Sequence, residues 1–234
     1  MIYVTSDLHG IAPKTMELLL RRAGFRDDDF LFVLGDVIDR GEHGIDLLLW
    51  LAGMPNAQLI LGNHEAMMRS CEFLFQEVSE ESLKSLTPEN LSLMGAWLDN
   101  GGAPTIRAMK ALTDTSPDLA EGIWDYLHDA PLYDTVRAGG RDFILTHAGL
   151  GNFTPDKALD AYSPEELLMH RPALSERYFS NATVVFGHTP TQLYDEAYHG
   201  KALRTNTWIN IDTGAAAGGT PMLLRLDDGM EFYL

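Results

Sequence analysis

The sequence predicts an α/β fold built on a parallel β-α-β-α-β unit. Five short runs of apolar, β-prone residues are typical of buried strands. Amphipathic stretches at Lys14–Ala23 and Gly44–Leu51 separate the first three runs, which favours adjacent parallel strands joined by right-handed helical crossovers. The five runs are IYVTS (2–6), FLFVLG (30–35), AQLILG (57–62), DFILT (142–146) and TVVFG (183–187).

The middle of the chain shows a helical pattern instead. From residue 65 to about 130, helical periodicity runs through EAMMRSCEFLFQEV, NLSLMGAWLDN and DLAEGIWDYLHD, with breaks at Pro88, Gly101–Gly102 and Pro117. We interpret this stretch as a helical insertion packed beside the sheet, within one domain that spans residues 1–234.

Two β-hairpins complete the predicted elements. The segment LYDTVRAGGRDFILTH is expected to turn at Gly139–Gly140, and the final segment PMLLRLDDGMEFYL is expected to turn at Asp227–Gly229.

Composition excludes several classes of partner. The net charge of −17 argues against nucleic-acid binding, because such a chain repels phosphate backbones. No apolar run approaches the length of a membrane span, and no secretory signal pattern precedes the first strand. Cys71 is the single cysteine, which rules out an intrachain disulfide and suits a reducing compartment. We therefore expect a cytoplasmic monomer with neither a nucleic-acid nor a membrane partner.

Every predicted strand is followed by a residue type that binds metals. In open parallel sheets the ligand site lies beyond the carboxyl ends of the strands, so these side chains are expected to meet at one rim. Carboxylate, amide and imidazole ligands together suit Mn, Fe, Co or Zn, and the lack of cysteine ligands argues against a closed structural zinc site. The candidate ligands are Asp7, His9, Asp36, Asn63, His147 and His188.

These ligands are enough for two ions. We expect Asp36 to bridge them, with one ion chelated by Asp7 and His9 and the other held by the three ligands that follow Asp36 in the chain. Two ions about 4 Å apart clamp the attacking and leaving oxygens of an in-line displacement at phosphorus, and a water between them loses its proton near neutral pH. The pattern therefore predicts phosphoester hydrolysis by a hydroxide that bridges two metals.

Three further polar residues have no metal to bind in this scheme. His64 follows a ligand directly and could protonate the leaving oxygen as a general acid. Asp39 could orient and charge that imidazole. Arg40 offers a guanidinium matched to phosphate oxygens.

Each of these residues also has an ordinary structural interpretation. Asn63 could cap the helix that follows it, Asp7 and Asp39 could be turn residues, and Glu65 could cap that helix or hydrogen-bond locally. Only the ordered recurrence at five strand ends favours a functional site.

The ordered motifs SDLHG, GDVIDRG, GNHE, THAG and GHTP resemble those of the phosphoprotein phosphatase family of calcineurin-like metallophosphoesterases. The segments WLDNGGAPTI (97–106), YLHDAPLYD (126–134) and NIDTGAAAGG are similar to the small bacterial and phage-type members. The resemblance implies a central β-sandwich around the parallel core, and a cofactor of two divalent ions. Manganese is expected first, with Fe, Zn, Co and Ni as alternatives.

The resemblance also implies roles for individual residues. It gives the six strand-end residues as metal ligands, with Asn63 at the substrate as well. It pairs His64 as general acid with Asp39, and gives Arg40 and Arg171 as phosphate-binding residues. Two departures stand out: Ser6 replaces the usual first glycine, and many relatives have a tryptophan near Arg171, where this chain reads LLMHRPAL. Arg171 could instead be a surface arginine in a loop.

Three functions compete at this point. The sequence favours a protein Ser/Thr phosphatase whose partner is a phosphoprotein or phosphopeptide, with phosphotyrosine and small phosphoesters as further substrates. The alternative is a hydrolase of diadenosine polyphosphates; related enzymes of that type often carry alanine where this chain has Asp39. The third is a catalytically dead binding scaffold, which would require the loss of a ligand or of the acid.

Overall fold

Ten strands in two five-stranded sheets form the centre of the protein, in a computed structural model that describes residues 1–76, 79 and 86–234. In chain order they are β1 (Ile2–Thr5), β2 (Phe30–Val33), β3 (Ala57–Leu59), β4 (Tyr133–Ala138), β5 (Arg141–Thr146), β6 (Ala182–Phe186), β7 (Leu203–Arg204), β8 (Trp208–Asn210), β9 (Met222–Arg225) and β10 (Glu231–Tyr233). The strand order is β10-β9-β1-β2-β3 in the first sheet and β4-β5-β6-β8-β7 in the second.

The predicted parallel core is confirmed. Strand β1 pairs in parallel with β2, and β2 with β3. The crossovers are α1 (Pro13–Ala23) and α2 (Gly44–Ala52), close to the predicted bounds. Helix α1 begins with a proline, whose missing N–H costs nothing at a helix start, and it ends at Gly24 in the left-handed conformation.

Alternation along the strands creates a sandwich with three apolar layers. Phe32 of β2 and Phe143 of β5 belong to the inner layer between the sheets. Leu31 of β2 faces the other way, toward α1 and α2. Val184 of β6 faces outward on the second sheet. Because side chains point alternately to the two faces of a strand, the two sheets share one core and each has a second core behind it.

The stretch at about 65–130 is helical where the structure describes it. It contains α3 (Asn63–Ser70), a 3₁₀ turn (Glu72–Phe75), α4 (Pro88–Asp99), α5 (Ala103–Thr115) and α6 (Pro117–Asp129); a short helix α7 (Pro164–Leu168) follows later. The last two residues of the predicted run EAMMRSCEFLFQEV lie outside the described residues, as do positions 80–85. The sequence pattern does not predict helix α5, because Gly101, Gly102 and Pro104 indicate a break in the helical pattern. In the structure, the two glycines precede the helix and Pro104 lies in its first turn, where proline is tolerated.

Both predicted hairpins are confirmed. Strands β4 and β5 pair antiparallel around Gly139–Gly140, and β9 pairs antiparallel with β10 around the turn at Asp227–Gly229. The sequence pattern does not predict strands β7 and β8, because two and three residues are too few to show a period. Among the described parts of the chain, no helix combines the length and apolar character that crossing a bilayer requires.

The turn after β2 depends on a glycine that comes close to another strand end. Gly35 has φ +81°, and a Cβ there would collide with Cα of Gly62 and lie 2.6 Å from its nitrogen. Gly24 has nearly the same φ, +73°, but a Cβ there would have nothing within 4 Å. Comparing Gly24 with Gly35 therefore separates the cost of left-handed backbone from the cost of the close approach between two strand ends.

We expect Gly24→Ala to lower the free energy of unfolding by about 1–2 kcal/mol, the cost of a left-handed alanine. Gly35→Ala should cost about 1–3 kcal/mol more, because the two strand ends must move apart. Urea denaturation monitored by circular dichroism measures both. Equal losses in the two variants would show that the close approach at Gly35 carries no energetic weight.

Candidate active site

The structure brings the predicted metal ligands together beyond the strand ends. His9, Asp36 and His64 place ligand atoms within 4.8 Å of one another, and Asp36, His147 and His188 do the same. Asn63 joins the second group, since its Oδ1 lies 2.8 Å from Nε2 of His147.

Asp36 lies between the two groups. Its Oδ2 is 3.7 Å from Nε2 of His9, and its Oδ1 is 3.4 Å from Nε2 of His147. This is the position that a bridging ligand requires. Both oxygens of Asp7 accept the N–H of His188, at 3.1 and 3.0 Å, and Asp7 lies outside the two compact groups. His64 lies in the group around His9, with its Nε2 3.8 Å from Oδ2 of Asp36.

The backbone at this site is strained. Seven non-glycine residues of the described chain have positive φ, and six of them are predicted site residues. Left-handed backbone is uncommon for these residue types and persists only where the surrounding structure enforces it. The six are Asp7, His9, Asp36, Asp39, Arg40 and His188, with φ between 41° and 71°.

Hydrogen bonds between loops enforce this conformation. The N–H of Asp7 donates to the carbonyl of Gly35 at 3.1 Å, and the N–H of His9 donates to the carbonyl of Asp36 at 2.9 Å. The N–H of Gly10 donates to Val37 at 2.7 Å. The loops after β1 and β2 are therefore joined, and their side chains share one frame.

Glu65 ties the loop after β2 to the start of α3. Its fully buried carboxylate accepts the N–H groups of Asp36 (2.8 Å), Val37 (2.8 Å) and Ile38 (3.2 Å). It also accepts the N–H of Gly62 at 3.1 Å, within the first turn of its own helix. The local capping interpretation of Glu65 is thus correct but incomplete. Burial raises the pKa of this carboxyl, and the N–H groups oppose that shift.

The donor set at the second group fits a cation. Nδ1 of His147 must carry the proton, because its partner at 2.7 Å is the carbonyl of Leu34, which can only accept. Burial lowers the pKa of His147 to about 3, so the ring is neutral and Nε2 keeps a lone pair. That lone pair faces Oδ1 of Asn63 at 2.8 Å and Nδ1 of His188 at 3.2 Å. A metal ion would satisfy the two electron-pair donors, Nε2 of His147 and Oδ1 of Asn63, that meet there.

Charge leads to the same conclusion. Burial raises the pKa of Asp7 well above its usual range, and the nearby Asp212 raises it further. Burial also raises the pKa of Asp36, with Asp7 and Glu65 adding to the shift. Burial lowers the pKa values of His9 and His188 to about 2, so these rings supply no compensating positive charge. Divalent cations would stabilise the buried carboxylates in their charged form.

His64 and Asp39 form the predicted pair. Nδ1 of His64 lies 2.6 Å from Oδ2 of Asp39, and both side chains are buried. Asp39 is held in turn by Nε1 of Trp97, which donates to Oδ2 at 2.8 Å. The hydroxyl of Thr105 donates to Oδ1 at 2.6 Å and accepts the N–H of Asp39 at 3.0 Å. The carboxylate is thus fixed by the helical stretch.

Sequence reasoning misses the two residues that hold Asp39. Both lie in WLDNGGAPTI, whose pattern indicates only a helical insertion. Their separation of 58 and 66 positions from Asp39 leaves no local pattern that would reveal the contacts. The structure does not support the ordinary structural interpretations of three site residues. Gly62, not Asn63, occupies the N-cap of α3, and Asp7 and Asp39 are buried rather than solvated turn residues.

The two predicted arginines line one cavity beside the ligands. The cavity has a volume of about 230 Å³, and its walls include Arg40, Arg171, His9 and His188. Nη2 of Arg40 lies 3.3 Å from Nε2 of His64. Both arginine side chains are exposed enough to reach an incoming anion.

Asp212 also lines this cavity, and sequence reasoning misses it as a site residue. It is buried, and burial raises its pKa to about 6. Its Oδ1 accepts the N–H of Gly214 at 2.9 Å. Asp212 lies in the segment NIDTG (210–214), two residues after the end of β8. Because the sequence pattern does not predict β8, Asp212 is not recognised as a residue at a strand end.

Comparison with known proteins places this site in context. A model of the family described as calcineurin-like phosphoesterase matches residues 1–192. Over 92% of its length, the chain is 24% identical to "Bis(5'-nucleosyl)-tetraphosphatase PrpE [asymmetrical]" of Bacillus subtilis, covering 86% of that protein. Also over 92% of its length, it is 25% identical to "Bis(5'-nucleosyl)-tetraphosphatase, symmetrical" of Chromohalobacter salexigens, covering 69% of that protein.

A solved structure described as a provisional diadenosine tetraphosphatase superposes with a TM-score of 0.65. The two share 20% identity, and the match covers 100% of this chain and 92% of the other. At that identity the likeness shows the fold alone, which agrees with the two-sheet sandwich.

We expect Glu65→Gln to lower the free energy of unfolding by about 2 kcal/mol or more. The new amide NH₂ would face backbone N–H groups that now donate to a carboxylate oxygen, leaving buried donors without a partner. Urea denaturation is the measurement, with Glu17→Gln on the exposed face of α1 as the matched control. If both variants unfold at the same urea concentration, Glu65 does not hold the loop after β2.

Proposed function

The chain belongs to the calcineurin-like phosphoesterase family, and from that premise we propose that it hydrolyses dinucleoside tetraphosphates with two bound divalent metal ions. Its general class, a metallophosphoesterase hydrolase, rests on the family match and on the two ligand groups. The observation that supports the substrate is that both relatives matching over 92% of the chain are named bis(5'-nucleosyl)-tetraphosphatases.

This proposal reverses the order that the sequence favours. The motifs place a protein Ser/Thr phosphatase first and a dinucleotide hydrolase second. The names of the relatives support the second function better than the first. A catalytically dead scaffold is not favoured, because every predicted ligand and His64 is present.

The metal ions have a definite place in the proposal. The first would be held by Asp7, His9 and Asp36, and the second by Asp36, Asn63, His147 and His188. When bound, such ions act as Lewis acids on phosphoryl oxygens and lower the pKa of water. We propose manganese, since the mixed nitrogen and oxygen ligands suit it.

The protein's own residues would bind the substrate and manage its protons. Arg40 and Arg171 on the walls of the cavity would hold phosphoryl oxygens through charge-assisted hydrogen bonds. Once Arg40 turns toward phosphate, Nε2 of His64 is free to carry a proton to the leaving oxygen. Asp39, fixed by Trp97 and Thr105, would keep the imidazole oriented.

A second candidate function is retained because of the His64–Asp39 pair. A nucleoside phosphate leaves readily as an anion, whereas the alkoxide of a serine needs a proton. A carboxylate held behind the acid by two hydrogen bonds, from Trp97 and Thr105, is more than the easier reaction demands. Hydrolysis of phosphomonoesters, including phosphoproteins, is therefore the second candidate.

We expect the manganese-loaded protein to hydrolyse diadenosine tetraphosphate with a kcat/KM at least about tenfold above that for phosphoserine and phosphotyrosine peptides, or about 1.4 kcal/mol in transition-state binding. Chromatography of the nucleotide products measures the rate and distinguishes symmetrical from asymmetrical cleavage. Exhaustive chelation should abolish turnover, and added Mn should restore it. A hundredfold preference for a phosphopeptide would make the second candidate the function.

We expect His64→Asn to cost about a hundredfold or more on phenyl phosphate, whose leaving group has a pKa near 10, and much less on p-nitrophenyl phosphate. Asp39→Asn should show the same dependence more weakly. Because the two residues act as a unit, the double variant should be little worse than His64→Asn alone.

Steady-state rates at saturating metal, with metal content measured for each variant, make this comparison. Equal losses on the two esters, or loss of metal from His64→Asn, would mean that His64 is a ligand or a phosphate-binding residue instead.

A further inference from the structure

An apolar cleft opens beside the metal ligands and plays no part in the site described above. It has a volume of about 260 Å³ and begins at Asn63. Its walls come from α3, α4 and α7. They are mostly apolar, with Glu165 of α7 as the one charged residue among the described lining; the apolar residues include Met67, Leu93, Ala96, Leu168 and Met169. The cleft is thus continuous with the site but differs from it in chemistry.

The cleft adjoins the start of α3, which carries the proposed proton donor. Asn63 is the neighbour of His64, the proposed proton donor, and both begin α3. The opposite wall is α4, which also carries Trp97, the residue that donates to Asp39. The cleft therefore adjoins both the helix start that carries His64 and the helix that holds its partner Asp39.

Its size and lining suit a flat aromatic ring. From Asn63 to Ser70 the floor of the cleft follows seven residues of helix, about 10 Å at 1.5 Å per residue. Leu93 and Met169 on the walls are 41% and 53% exposed, so apolar surface is left open to solvent here. Adjacent exposed apolar side chains that line a groove mark a binding site more often than isolated ones do.

A polar group stands at the edge of the cleft. The side-chain N–H of Asn100 donates to the carbonyl of Ala96 at 2.8 Å, which leaves its Oδ1 as an acceptor. An apolar slot with a hydrogen-bond acceptor at its rim is the combination that recognises a nucleobase bearing an exocyclic amino group.

We propose that this cleft binds the nucleobase of the departing nucleotide, with Met67 and Leu93 against the ring and Asn100 at its amino group. This inference rests on the proposed function, because it assumes that the leaving group is a nucleotide. It adds a base-binding subsite to a site whose other residues would hold metal ions and phosphoryl oxygens.

The first test compares two leucines of α4. Leu93 lines the cleft, whereas Leu91, two residues earlier and 54% exposed, does not appear on its walls. Leu93→Asn should raise KM for diadenosine tetraphosphate at least about fivefold with little change in kcat, because base binding is the same in the ground and transition states. The rise in KM for p-nitrophenyl phosphate in the same variant should be at least about fivefold smaller than the rise for diadenosine tetraphosphate. Leu91→Asn should have the KM and kcat of the unmodified protein on both substrates.

The second test does not require turnover of a dinucleotide. With Mn in excess, ADP should inhibit p-nitrophenyl phosphate hydrolysis at least about fivefold more strongly than inorganic pyrophosphate does. Leu93→Asn should remove most of that difference, and Leu91→Asn should keep it. The two inhibitors share a diphosphate and differ by the nucleoside.

The outcomes separate the two proposals. If the unmodified protein cleaves diadenosine tetraphosphate but ADP and pyrophosphate inhibit equally, the base-binding cleft is wrong and the proposed function stands. If ADP is favoured through Leu93 but the dinucleotide is not cleaved, the cleft is supported and the proposed function is wrong. An effect of Leu93→Asn confined to phosphopeptides would overturn the inference and indicate a peptide groove.

Discussion

The carboxylate of Glu65 is the interaction on which the rest of the site depends. It accepts four backbone N–H groups, three of them from the loop after β2 and one from the first turn of its own helix. Asp36 therefore stands at a fixed distance from Asn63 and His64, although 27 or more positions separate them. A buried carboxylate is costly unless its oxygens are satisfied, and here the partners are peptide groups that a tight turn would otherwise leave unpaired.

The site around Glu65 combines two features that are rare elsewhere in folded proteins: left-handed backbone at non-glycine residues and buried carboxyl groups close together. Six non-glycine residues of the site have left-handed backbone, and carboxyl groups lie close together away from water. Both features cost free energy, and the two packed sheets must supply it. Divalent cations would remove much of the electrostatic cost, so an arrangement that is costly for the protein alone would favour metal binding.

The chemistry at phosphorus and the choice of substrate are separable in this structure. In the proposed function, the ligands, the arginines and the His64–Asp39 pair would act on a phosphoryl group whatever it is attached to. What the phosphoryl group is attached to must be selected elsewhere, and the cleft between α3 and α4 is the adjoining surface with different chemistry. Relatives in one family can therefore share the strand-end motifs and differ in substrate.

The sequence by itself determined the parallel core, the two hairpins and the residues that meet at the strand ends, because strand periodicity, turn glycines and short motifs are local signals. Only the tertiary structure decided that Glu65 spans two loops, that Trp97 and Thr105 hold Asp39, and that Asp212 lines the cavity beside Arg40 and Arg171. Those contacts join residues far apart in the chain, and the helix α5 and strand β8 that make two of them possible lack a local pattern. Packing, which depends on the whole chain, selects such contacts.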